Sequence, residues 1–312
     1  MKKSMINKNL IFPHLILLSV FCFSVLAASF SILASCSSGP KRQMSITTVQ
    51  TSCKDSIETA NACIINGNYD QAEDILKKAR LQAISIDNYN LLLSISLTHV
   101  SLYLSYNPPE IEKAESHLKQ AYSFVNNTSN TNESELLCAM AEARILIAKN
   151  DVQSNFNSIV DKIDDAKKVF KNDSYNHAQC DSILGDIYRL SGKYKEADKI
   201  YNDAAKLFTD NMYLSEIGIT WYKIAQNHSQ SGNKKAALNA LATAIHYDRL
   251  AENSLALGAD YYIMAVILLK GSPSDAEQSE AKKALEHSAE IYNSVNRSEL
   301  AAKSLELLKS LE

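Results

Sequence analysis

The chain has 312 residues, 46% of them hydrophobic, with 32 basic and 35 acidic side chains and a net charge of −3. That composition suits a folded protein. The mildly acidic, mixed-sign balance argues against a nucleic-acid binder, which needs a basic stripe, and against a polybasic membrane face. Eight glycines and five prolines point to long helices joined by short turns.

Lys2, Lys3 and Lys8 precede an apolar run from Leu10 to Leu33 that ends in Leu33-Ala34-Ser35-Cys36. A positive start, an apolar middle and small residues before a cleavage point make an export signal over residues 1–35. The last four residues resemble the lipoprotein box of bacterial lipoproteins. The resemblance implies removal of the signal and diacylation (palmitate-type) of Cys36, which becomes the new N-terminus. Two acyl chains give stable membrane anchoring where one does not. An uncleaved transmembrane helix over the same run stays open as the alternative, because its length could span a bilayer. Residues 36–48 follow as a short polar tether. Ser37, in place of an aspartate, resembles lipoproteins passed to the periplasmic face of an outer membrane in a two-membrane cell. Without the three lysines of the signal, the remainder carries 29 basic and 35 acidic residues, a net −6.

From residue 49 onward one pattern recurs. Gly67-Asn-Tyr69-Asp-Gln-Ala72, Gly192-Lys-Tyr194-Lys-Glu-Ala197 and Gly232-Asn-Lys234-Lys-Ala-Ala237 are turns flanked by helical apolar stripes. The alanine recurs at Ala72, Ala114, Ala197, Ala237 and Ala281, in steps of 42, 83, 40 and 44 residues. The long step holds two units, one of them degenerate near Asn155 and lacking its glycine. Its helices are expected over 135–149 and 156–170. In Tyr194 to Phe208 the apolar or small residues fall at 194, 197, 200, 201, 204, 207 and 208, one stripe of a 3.6-residue period. Small residues mark where paired axes approach to about 8–10 Å. Asn107-Pro108-Pro109 breaks the second unit between its helices. Asn126 to Ser134 is a polar loop, and its two glycosylation-like triplets are read as no more than that. Gly271 to Asp275 forms the sixth turn, with Ser274 or Asp275 as N-cap. Ser298 to Glu312 is a final helix with Leu300, Leu305 and Leu308 on one side, capping the stack.

Leu184, Gly185, Tyr188, Gly192, Tyr194, Ala197, Tyr201 and Ala204, then Trp221, Ala225, Gly232, Ala237 and Ala244, resemble the tetratricopeptide repeat family. The expected fold is all-α: a right-handed tetratricopeptide-like solenoid of about six helix–turn–helix units over residues 49–312. We expect an elongated array in which each unit touches only its neighbours. The resemblance implies that the first helix of each unit lines a concave groove. The carried-over positions are Gln179, Ser182, Asp186 and Arg189 in the fourth unit; Ile219, Tyr222, Gln226 and Ser229 in the fifth; and Ala259, Tyr262 and Val266 in the sixth. Exposed tyrosines are frequent binding hot spots, so Tyr222→Ala and Arg189→Ala are expected to weaken binding without changing the melting temperature.

Chemistry is sparse. No nucleophile, phosphate-loop or metal motif occurs, and the histidines at 99, 117, 177, 228, 246 and 287 are scattered. Asp164 and Asp165 are adjacent and diverge on a helix. Cys53 and Cys63 lie ten residues apart on one helix, about 15 Å, too far for a disulfide. With Cys138 and Cys180 they are read as small apolar core residues. The expected function is a membrane-tethered, non-catalytic adaptor in the bacterial cell envelope, holding a protein or peptide in its groove and using no cofactor. The alternative is a ligand-handling accessory of a periplasmic transport system, with a small molecule enclosed in a deep pocket of the superhelix or of an oligomer.

Overall fold

The computed structural model describes residues 49–311. The expected signal, Cys36 and the tether lie outside the described residues. Thirteen helices and no strand occur among those described, and none of the helices is long and apolar enough to cross a membrane. The helices pair as six antiparallel units: α1 (Val49–Ile65) with α2 (Tyr69–Ser85), α3 (Tyr89–Leu104) with α4 (Ile111–Phe124), α5 (Thr131–Ala148) with α6 (Phe156–Val169), α7 (Ser174–Leu190) with α8 (Tyr194–Asp210), α9 (Leu214–Gln230) with α10 (Lys234–Leu250), and α11 (Ser254–Leu269) with α12 (Asp275–Ser294). A last helix, α13 (Ser298–Lys309), packs on α12. The architecture is therefore an all-α repeat fold.

The turns explain why the pairs form. Gly67, Gly192, Gly232 and Gly271 all have positive φ, which glycine adopts without a Cβ penalty. At Gly67, Gly192 and Gly232 the two amides after the helix reach back to its last carbonyls. Asn68 donates to the Cys63 carbonyl at 2.7 Å, Lys193 to Tyr188 at 2.9 Å and Asn233 to His228 at 2.8 Å. This closes the helix end and turns the chain. The third unit makes the same turn without glycine. Asn150 takes φ +56° and Asp151 donates to Leu146 at 2.9 Å; asparagine is the side chain that tolerates this region best after glycine. New helices start on side-chain caps: Asn88, Asn130, Asp173, Asn233 and Asn253 each accept from the third amide on, and Ser274 with Glu277 forms a reciprocal capping box.

The recurrent alanines, 72, 114, 197, 237 and 281, are wholly buried between paired helices. Ile159 stands in the equivalent place of the third unit, where Asn155 accepts its amide as Asn68 accepts that of Ala72. All four described cysteines are free and buried. The last helix differs from the expected stripe. Leu305 is 47% exposed, and α13 instead docks through Ala301, Ser304, Leu307 and Leu308. Ser304 Oγ and Ser288 Oγ hydrogen-bond at 2.9 Å, so the small side chains of this helix, rather than its leucines alone, face the stack.

The expectation that units touch only their neighbours also needs correcting. The first turn meets the far end of the chain. A Cβ on Gly67 would overlap the Arg297 guanidinium and Leu255, and Arg297 lies over the Tyr69 ring, 5.2 Å from its centroid. The curvature accumulated over six units brings the two ends into side-chain contact. Helix-to-helix packing remains sequential, so this seam is thin. Combining Arg297→Ala with Leu255→Ala should increase the radius of gyration in solution scattering while helicity stays constant. An unchanged radius would mean the seam does not hold the ends together.

Candidate functional site

A cavity lies behind that seam, between the first two units and the last three. Its volume is about 710 Å³. One wall is apolar, with Ile64, Ile65 and Leu104; the other brings Asp186, Arg189, Ile219, Tyr222, Lys223 and Gln226 from α7 and α9. Tyr69 and Leu255 close the side towards the seam. Of the eleven groove positions expected from sequence, the structure places six on this cavity, Asp186, Arg189, Ile219, Tyr222, Gln226 and Ala259. Gln179, Ser182, Ser229, Tyr262 and Val266 do not line it.

Several of these side chains tie first helices to one another. Arg144 of α5 donates to Gln179 Oε1 of α7 at 2.7 Å. Lys223 of α9 donates to Ser182 Oγ at 2.8 Å and to Asp186 Oδ2 at 2.6 Å. Asp186 also accepts from the Tyr201 hydroxyl at 2.7 Å and from Arg189 at 3.4 Å. Burial alone would raise the Asp186 pKa, but Lys223 and then Arg189 hold it below the usual carboxylate range. Arg189 further reaches Tyr201 at 3.3 Å and Gln230 at 3.2 Å. Its removal therefore reaches the fold, and the expectation of an unchanged melting temperature for Arg189→Ala does not suit this geometry. Tyr262 packs among Ala265, Leu268 and Leu285 rather than facing the cavity.

Two further carboxyls lie on the cavity wall, Asp248 at the end of α10 and Asp260 in α11. Both are fully buried, at 0% and 1% exposure. Apart from one another, Asp248 Oδ1 and Oδ2 and Asp260 Oδ2 have no hydrogen-bond partner. Burial pushes both pKa values well above the carboxylate range, and the charge of Asp248 pushes Asp260 further. Two such groups within reach of each other share a proton rather than ionise together. No group of three or more histidine, cysteine or acidic side chains that could hold a metal occurs among the described residues.

Residues 183–211 match the tetratricopeptide repeat family. The chain carries a tetratricopeptide repeat. Solved structures with the same fold include a Rap protein complexed with competence and sporulation factor (TM-score 0.56, 16% identity, 85% of this chain and 77% of that one). The apo form of RapI also has it (0.51, 11%, 83% and 97%), as does aspartyl phosphate phosphatase F from Bacillus subtilis (0.50, 13%, 86% and 72%). At such identities the likeness shows the fold alone. No curated protein matches the sequence.

The tetratricopeptide register shows what is unusual about the acid pair. Ala178, Gly218 and Gly258 are spaced at 40 residues. Each faces the end of its partner helix: Ala178 clusters with Phe208, Gly218 abuts Asp248 and Gly258 abuts Tyr292. An aspartate thus stands where the neighbouring repeats place an aromatic ring. Asp260 likewise falls where the two preceding repeats have the buried Cys180 and Thr220. Sequence reasoning missed both acids because it aligned the turns and first helices but not the ends of the second ones. It missed Lys223 because a lysine on a polar helix face carries no distinguishing pattern.

Proposed function

We propose that this chain is an exported, membrane-anchored and non-catalytic adaptor of the cell envelope that holds a short protein or peptide segment in the cavity between the ends of its array. The observation that carries this reading is the wall itself. Exposed Ile65 and Ile219 face the same space as the hydrogen-bonding groups of Tyr222, Gln226 and Arg189. Apolar area with a few placed polar groups is what ligand sites present, and about 300–1,000 Å³ is their usual size. The related fold of a Rap protein complexed with a sporulation factor supports the idea that such an array can hold a factor. The anchoring part of the reading rests on the Lys-rich start, the apolar run and Leu33-Ala34-Ser35-Cys36.

A photoreactive residue in place of Gln226 in the full-length protein should crosslink a protein in intact cells, whereas one at exposed Lys206 on α8 should not. Equal or absent adducts at the two positions would sink the adaptor reading. A second reading, a small-molecule accessory of a transport system, is favoured by one observation: both ends of the array bound the cavity. It predicts a shift in mass of a few hundred daltons at position 226 and no protein adduct. For the anchor, Cys36→Ala should release the protein from membranes or leave an unprocessed precursor. Unchanged anchoring with residues 1–35 retained would favour the transmembrane alternative.

A further inference from the structure

The cavity has a chemical asymmetry that hydrophobic contact does not explain. Its lining holds two cations, Arg189 and Lys223, and three carboxyls, Asp186, Asp248 and Asp260. Both cations are committed to Asp186. That leaves Asp248 and Asp260 with no positive partner and three unpartnered oxygens. A repeat protein could fill this place with an aromatic ring, as it does at Phe208 and Tyr292. Instead Gly218, which lacks a Cβ, makes room for the Asp248 carboxyl. A polar group buried without a partner is destabilising, so the arrangement is unfavourable unless something completes it.

We propose that the Asp248–Asp260 pair is the recognition point for a cationic nitrogen, an ammonium on an apolar stem, that enters the cavity and replaces the proton shared by the two carboxyls. The inference rests on the reading of this cavity as the binding site. The stem would lie along Ile219, Leu255 and Ala259, which line the same space. The nitrogen meets two oxygen acceptors in a setting of low dielectric, where a charge pair is stronger than in water. The groups facing the pair are Tyr222 from α9 and Tyr292 from α12, both influenced by the Asp260 charge. Lys223, Arg189 and Asp186 line the same cavity and neutralise one another in part. None of these donates to the pair. The proton released on binding goes to solvent, so affinity for the cation should fall as the pH is lowered.

Two sources share this chemistry, a lysine side chain of a bound segment and a free aliphatic amine. Ligand-observed NMR on the full-length protein in detergent measures the binding. The probes are hexylamine, hexanol, hexanoate and Nα-acetyl-lysine amide. The two amines should bind at pH 7.5 at least about ten-fold more tightly than hexanol, which corresponds to about 1.4 kcal/mol, and hexanoate should be weaker still. Tighter binding by acetyl-lysine amide than by hexylamine would assign the nitrogen to a peptide; the reverse would assign it to a small amine. In Asp248→Asn/Asp260→Asn the preference for amine over hexanol should vanish. That variant removes a buried charge and keeps the hydrogen-bonding shape, and circular dichroism checks that it folds. Asp248→Phe, which restores the aromatic of the other repeats, is the second variant and should behave alike. Equal binding of hexylamine and hexanol, no binding by any probe, or a preference that survives both variants would overturn the assignment. The adaptor reading is judged separately, because the Gln226 crosslink does not depend on charge.

Discussion

Replacing Asp186 by alanine should lower the melting temperature by roughly 10 °C. The carboxylate accepts from Tyr201, Lys223 and Arg189 at once and is only 7% exposed. Deleting it leaves a fully buried tyrosine hydroxyl without its acceptor and two largely buried cations without their anion. Breaking a buried pair from one side costs about 3–5 kcal/mol, and each kcal/mol is worth about 2–4 °C in a domain of this size. Asp186→Asn should fall between, since it keeps an acceptor but loses the charge. Asp186→Leu combined with Lys223→Met and Arg189→Met should recover much of the loss, because no charge is then stranded. Thermal melts followed by circular dichroism decide the matter; a change within 2 °C for Asp186→Ala would show that water, not the fold, satisfies these groups. The same reasoning separates support from recognition on the cavity wall. Asp186 and Arg189 hold α7, α8 and α9 in place, whereas Tyr222 and Gln226 are the cleaner reporters of an occupant.

Acid should destabilise the second unit before the others. His99 and His117 stack in parallel, 4.2 Å between centroids, next to Tyr103. His99 Nδ1 donates to the Ile95 carbonyl at 2.9 Å, and His117 Nδ1 is buried without a partner. Burial lowers both pKa values, and the neighbouring His99 charge lowers His117 further, to about 4. In the unfolded chain both titrate near 6.5. Above that value neither state binds the protons and the pair adds no pH dependence. Below it the unfolded chain takes up protons that the folded one refuses, so stability falls from pH 6.5 towards 4. For His117, which is partly exposed, the loss is on the order of 2 kcal/mol by pH 5. His117→Phe keeps the stack and removes the titration. Its melting temperature should therefore fall less than that of the wild type between pH 7 and pH 5. Parallel curves would mean that the imidazole is protonated in the folded protein.

The parts legible from sequence were those written locally. Gly67, Gly192 and Gly232 needed positive φ, and that alone located three of the turns. The alanines at 72, 114, 197, 237 and 281 set the unit count, including a unit inferred from the double-length step. In that unit the structure supplies Asn150 and Ile159 for the missing glycine and alanine, a substitution that only the backbone reveals. Leu305 misled because a leucine on an amphipathic helix looks like core, whereas Ala301 and Ser304 make the close approach. The meeting of Gly67 with Arg297 could not be read at all. It arises from small rotations added unit by unit, and no single residue encodes the sum. The Asp248–Asp260 pair was hidden for the same reason, since 12 residues of chain and a turn separate the two acids and only the stacking of α11 on α10 aligns them.

The seam at Gly67 changes how this molecule comes apart. An open stack unzips from its free ends, one hairpin at a time, because a terminal unit has a single neighbour. Here the first turn leans on Leu255 and Arg297, so both termini have something to lose when either peels away. Fraying at α13 should then be felt in α1 and α2, which makes the hoop, rather than the hairpin, the smallest piece that opens on its own.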